Sequence, residues 1–244
     1  MKTFALLFGL ILMPTAAHTA ELKVLAGGSI TASLKELAPK FEKATGHKLD
    51  ITFAATPELI KLATSAPFDL GIVPTDVMKN DAARATFAGT PAPVTRAGFG
   101  IAVKAGAPKP DIGTPDALKA ALLKAQSVTF LPESAAGAYV LKTFEQLGIA
   151  DAMKPKIKAQ TVPAKISEAV ANGEAELGVF LTNVLIGPGV ELAGPFPAGL
   201  QMDFVLVGGV AAESKHADAA KAFLDYLKTP EAAAVFKANG VTPD

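Results

Sequence analysis

The sequence predicts an α/β protein in which mostly parallel sheets are flanked by helices. Three observations carry this. Short β-rich runs alternate with helical segments along the chain. Several helical segments open on Ser or Thr and close on Gly. The 244 residues are 50% apolar and only 19% charged, which suffices for a core and excludes a disordered chain. That length suits one domain or two small ones.

The elements follow in order. Lys2, an apolar run over 4–13, Pro14 and the small residues Thr15, Ala16 and Ala17 have the layout of a secretory signal peptide. It covers residues 1–20, with cleavage after Ala17 or Ala20. The run is too short for a bilayer, which needs about 20 apolar residues. Residues 22–26 read as a strand, and Gly27, Gly28 and Ser29 as the turn after it. Leu34, Leu37, Phe41 and Ala44 recur at spacings of three and four, the pattern of one helix face, and Gly46 caps its end. A second strand covers 49–54. Thr56 then opens a helix as N-cap, with Pro57 at the first helical position. Strand 68–73 completes a βαβαβ unit, whose crossovers require parallel strands.

Residues 98–104 form another strand, followed by a Gly- and Pro-rich loop over 105–111. A helix runs from Thr114 to Lys124, a strand over 128–131 and a helix from Ser134 to Gly148. Helix 165–172 and strand 177–180 complete a second α/β unit. Residues 204–210 are apolar and β-rich, and helices 217–227 and 231–238 are parted by Thr229 and Pro230.

Composition narrows the function. Basic and acidic residues balance at 23 each, so no basic stripe points to nucleic acid. The absence of Cys excludes disulfides, thiolate metal sites, cysteine nucleophiles and a lipid-anchored cysteine. Without the leader only His47 and His216 remain, at no metal-ligand spacing, so neither metal nor cofactor is expected. No later apolar run reaches membrane length, so the mature chain should be soluble and not inserted in a membrane. Of the 23 basic residues 21 are Lys; the two Arg are Arg84 and Arg96.

The opening LKVLAGGSITASLKELAPKFEKATGHKLDI, the run PFDLGIVPTD and the ending AAKAFLDYLKTPEAAAVFKANGVTP resemble the periplasmic molybdate-binding proteins of ABC transporters. The stretch AGFGIAVKAGAPKPDIGTPDALKAALL is similar to the domain-crossing strand in one branch of their relatives. The resemblance covers nearly all of the mature chain. It implies a two-lobed type II periplasmic binding-protein fold, with an N-lobe of 21–98 plus 203–244, a C-lobe of 99–202 and a ligand cleft between them. It implies a monomeric periplasmic protein that captures a small anion, a molybdate-like oxyanion or a small carboxylate, for an inner-membrane ABC permease.

Helix N-termini hold oxyanions through free N–H groups and the macrodipole. Ser29, Thr56 and the Ala135-Ala136-Gly137 start all stand at such ends. By resemblance, Ser29, Thr56 and Ala136 occupy positions where the molybdate family contacts its anion, although Ser or Thr there serves equally as a plain cap. Gly137, Pro163 and Leu181 complete the expected contacts. The chain departs from the family where Leu181 stands at a position commonly occupied by Tyr. Pro57 also removes a backbone donor, and Glu58 adds a carboxylate to that turn.

Arg96 precedes the crossing strand, and its planar fork suits a di- or tricarboxylate. It therefore joins the candidate ligand contacts. A solvated surface Arg is the bland alternative. The alternative function is an isomerase of a tricarboxylate such as aconitate on the same fold. Arg96 would then be the anchor, and Glu133, Asp76 or Lys165 the base.

Overall fold

The computed structural model describes residues 19–244. Most of the leader read over 1–20 lies outside the described residues. The chain runs β1 (Glu21–Gly27), α1 (Thr31–Thr45), β2 (Lys48–Ala54), α2 (Thr56–Ser65), β3 (Leu70–Pro74), α3 (Asp81–Ala85) and β4 (Ala92–Ala97). It continues through β5 (Phe99–Lys104), α4 (Pro115–Lys124), β6 (Val128–Phe130), α5 (Ala135–Gln146), α6 (Ala150–Met153), β7 (Ile157–Ala159), α7 (Ala164–Asn172), β8 (Leu177–Leu181) and β9 (Val190–Pro195). It ends with β10 (Phe204–Val210), α8 (Ala217–Tyr226), α9 (Pro230–Ala238) and β11 (Thr242–Pro243).

These strands form two sheets, ordered β11-β4-β10-β3-β1-β2 and β7-β6-β8-β5-β9. Each sheet is the centre of one lobe. The βαβ units pair in parallel, β1 with both β2 and β3, and β6 with both β7 and β8. The strands entering from the crossings, β4, β5 and β10, pair antiparallel with their neighbours. Right-handed helical crossovers impose the parallel part, whereas a chain passing between lobes is free to enter in the other direction.

Helix α1 packs Leu34, Leu37 and Phe41 into the core, and Gly46 ends it at φ 79°, the left-handed region that suits Gly. Ala44 is exposed, because the apolar face ends one turn before the helix does. Phe41 meets Phe223 of α8 with ring centroids 4.9 Å apart, which ties the chain's first helix to its last segment.

The hinge is narrow. Gly98 alone separates β4 from β5. On the return path the Gln201 amide clamps the next residue: Phe99 N–H donates to Gln201 Oε1 at 2.8 Å, and Gln201 Nε2 donates to the Phe99 carbonyl at 2.9 Å. A Cβ at Gly98 would lie 3.2 Å from that amide, so the two crossings approach as closely as a glycine permits.

Candidate functional site

Between the lobes lies a cavity of about 500 Å³. Four helix N-termini reach it: Thr31 of α1 and Thr56 of α2 from one lobe, Ala136 of α5 and Ala164 of α7 from the other. The first N–H groups of a helix have no partner within its own ladder, so such an end presents donors and the positive end of a dipole. At α1 and α7 part of that set is already spent: Thr31 N–H donates to the Gly28 carbonyl, and Lys165 and Ile166 N–H donate to the carbonyls of Val162 and Pro163 at 3.2 and 3.0 Å.

Local sequence sets each end differently. Thr56 is the first helical residue of α2, not its cap; the cap position is Ala55 and carries no side-chain bond. The hydroxyl of Thr56, a buried residue, is therefore free to face the cleft, where its oxygen accepts a long 3.4 Å bond from Ala135 N–H of the opposite lobe. Pro57 follows at the second helical position and withholds one donor.

On α5 the hydroxyl is consumed instead. Ser134 Oγ accepts from Gly137 N–H at 2.9 Å and donates to the Leu131 carbonyl at 2.8 Å. That spends the Gly137 donor and leaves Ala136, in the same first turn, on the cleft wall. Gly137 is needed for another reason: a Cβ there would stand 1.8 Å from the Leu131 carbonyl oxygen. Gly28 is the matching close approach in the other lobe, since a Cβ there would lie 3.2 Å from Pro163 Cγ across the cleft.

The remaining wall is hydrocarbon. Phe53, Leu131, Phe180, Leu181 and Phe204 line it, with Leu181 fully buried. Among the lining residues Glu58 is the one ionisable side chain, and no Lys, Arg or His contributes. Glu58 sits half-exposed at the start of α2, with Lys61 at 3.4 Å. The cleft is thus built to hold negative charge with backbone dipoles and hydroxyls while presenting an apolar surface beside them.

The sequence profile of bacterial extracellular solute-binding proteins matches residues 22–242. The chain belongs to that family. Among relatives, the solute-binding protein is 34% identical to a protein named aconitate isomerase from a Pseudomonas species, over 98% of this chain and 94% of that one. It is 30% identical to the molybdate-binding protein ModA of Azotobacter vinelandii, over 94% and 92% of the two chains. Its fold matches the solved structure of an Azotobacter vinelandii periplasmic molybdate-binding protein with a TM-score of 0.74 at 19% identity, covering 91% of this chain and 98% of that one.

Of the residues singled out in the sequence, Ser29, Thr56, Ala136, Pro163 and Leu181 all line the cleft of this solute-binding protein. Gly137 stands behind the wall, its N–H bonded to Ser134. Arg96 does not reach the cleft. It lies on β4, where its guanidinium bonds the carboxylates of Asp244 and, at 3.3 Å, Asp203. Those carboxylates, Asp244 foremost, raise its pKa further and keep the fork occupied. Spacing along the chain could not reveal this, because Asp244 is 148 residues away.

The three bases considered for an isomerase also lie off the lining. Asp76 holds Lys79 at 2.6 Å, Lys165 pairs with Glu168, and Glu133 is exposed. Sequence reasoning missed Phe53, Thr161, Phe180 and Phe204 as wall residues; their only signal was a place at or beside a strand end. No helix among the described residues is long and apolar enough to cross a membrane.

Proposed function

We propose that this solute-binding protein works in the periplasm, closes its two lobes on a small organic anion, a carboxylate, and hands it to an inner-membrane ABC permease. The observation that carries the reading is the convergence of four helix N-termini on a cavity whose lining, among the described residues, holds no cationic side chain. Two features favour a carbon skeleton over a bare metal oxyanion. The volume of about 500 Å³ falls in the range of pockets for small organic molecules. The Phe and Leu wall rewards hydrocarbon and offers nothing to an oxyanion surrounded by oxygen. A monomer suffices, since both lobes of the cleft come from one chain.

A second reading is favoured by the relative named aconitate isomerase together with Glu58. An allylic proton shift breaks one C–H bond, moves the double bond and forms a C–H bond at the other allylic carbon. It needs no cofactor, only a group that takes and returns the proton. In this reading Glu58, the one ionisable side chain of the lining, would be that group.

A thermal-shift panel of molybdate, tungstate, sulfate, citrate and the two aconitate isomers tests both readings. A ligand at a hundred times its Kd should add about 2.7 kcal/mol of stability. Stabilisation by citrate or aconitate is the expected result, and a response to molybdate or tungstate alone overturns the carboxylate reading. Incubating either aconitate isomer with the protein and following the other by chromatography decides the isomerase reading. Conversion that Glu58→Gln abolishes supports it, and no conversion ends it.

A further inference from the structure

We propose that the turn after β8 is a latch coupling ligand contact to lobe closure, with Asn183 as its closing residue. The proposal rests on the solute-binding reading of the cleft. Three consecutive side chains in this turn face three different parts of the molecule. Leu181 is fully buried on the cleft wall. Thr182 bonds the hinge: its N–H donates to the Gly98 carbonyl at 2.8 Å, and its hydroxyl donates to the same oxygen at 3.2 Å. Asn183 reaches the opposite lobe, where Nδ2 donates to the Ser29 carbonyl at 2.6 Å.

The turn is stiff enough to act as a unit. The N–H groups of Val184 and Leu185 both return to the Leu181 carbonyl, at 2.9 and 3.2 Å. A displacement of Leu181 by ligand is therefore felt at Thr182 and Asn183. Ser29, the residue latched, lies between β1 and α1 and itself lines the cleft. Holding its carbonyl sets the orientation of the turn that brings α1 to the ligand.

The latch is also built to reopen. Asn183 Oδ1 is buried and has no hydrogen-bond partner among the described residues. Closure thus makes one short bond and strands one amide oxygen away from water, and opening rehydrates both groups. The stranded oxygen offsets part of the gain from the bond without cancelling it, so the latch favours closure modestly and bound ligand completes it. Gly240, in the left-handed region at φ 70°, completes the contact; a Cβ there would lie 3.2 Å from Asn183 Cα.

The chain has no Cys, so one pair of dye labels can be placed without background. Lys43→Cys on α1 and Lys124→Cys on α4, both exposed, put one dye on each lobe. Interlobe energy transfer is compared in the ligand-free parent, Asn183→Ala and Asn183→Asp; Asp keeps the shape and loses the donor. Trans-aconitate is the affinity probe. Both variants should show a larger mean interlobe distance. Affinity for trans-aconitate should fall about three- to tenfold, the effect of one such bond, mainly through faster release. The ligand-free melting temperature should stay within about 2 °C of the parent, because neither lobe's own core is touched.

An unchanged interlobe distance in the variants overturns the latch, whether or not affinity falls. If trans-aconitate fails to bind the parent, that ligand is excluded while the thermal-shift panel still decides the carboxylate reading, and the ligand-free distances still decide the latch. Should Asn183→Ala not fold, Asn183→Asp alone decides it.

Discussion

Gly137→Ala subjects the α5 end of the cleft to its hardest test. The added methyl would lie 1.8 Å from the Leu131 carbonyl oxygen, 2.7 Å from its carbon and 2.8 Å from Pro132 Cα. All three are backbone atoms, so no side-chain rotation relieves the clash. The helix start or the β6–α5 loop must retreat until the contact reaches the ordinary 3.4–4 Å. Forcing extra volume into a packed site costs about 1–3 kcal/mol. The retreat also stretches the 2.9 Å cap bond from Gly137 N–H to Ser134 Oγ, and losing a cap costs about 1 kcal/mol more. Together these amount to about 2–4 kcal/mol, which in a chain of this size lowers the melting temperature by about 5–15 °C. Gly199→Ala is the control, because a Cβ there meets nothing within 4 Å; it should leave stability unchanged or raise it slightly. Thermal melts of the mature protein followed by circular dichroism give both values. A Gly137→Ala variant melting within about 1 °C of the parent would refute the reasoning that Gly is required here by backbone contact.

Three further outcomes follow from the same geometry. Thr56→Val keeps shape and loses the hydroxyl; since Thr56 does not cap α2, affinity for the bound anion should fall at least about tenfold while the melting temperature holds, as calorimetry and a melt together would show. Glu42 accepts from Leu49 N–H at 2.8 Å, and that bond chiefly, with help from Lys48, holds its carboxyl below the ordinary 4.5. A carboxyl lowered on folding contributes stability that is complete above 4.5 and is lost as pH falls through the lower folded value. The parent's melting advantage over Glu42→Gln should therefore be largest at neutral pH and close in acid, and an advantage independent of pH would exclude this role. Arg96→Met should leave ligand affinity unchanged and loosen the terminal strand, read as faster hydrogen exchange at Asp244 N–H, which donates to the Val94 carbonyl at 3.0 Å. A large loss of affinity would return Arg96 to the cleft.

Much of the architecture was legible because it is written in local signals. Gly46 after an apolar helical face, Thr114 before Pro115 and Ser134 before Ala135 mark helix ends through bonds spanning three or four residues. The β4, β9 and β11 strands carried no such mark. Pro93 interrupts the first, the second is a half-buried partner of β5, and the third is two residues long. Their existence depends on neighbours distant in sequence, above all β10 and β5.

The site divides in the same way. Sequence alone determined the two α/β units, the turn after β1 that carries Ser29, the helix starts that carry Thr56 and Ala136, and the absence of thiol chemistry. Each of these follows from a residue and its immediate neighbours. Only the tertiary structure decided which donors remain free: Ser134 consumes the Gly137 N–H, whereas the Thr56 hydroxyl, one position inside its helix, is left for the cleft. It also removed Arg96 from the ligand, through a carboxylate at the far end of the chain, and set Asn183 against Ser29 across 154 residues. Hydrogen bonds and ion pairs are settled by proximity in space, and folding alone makes such partners neighbours.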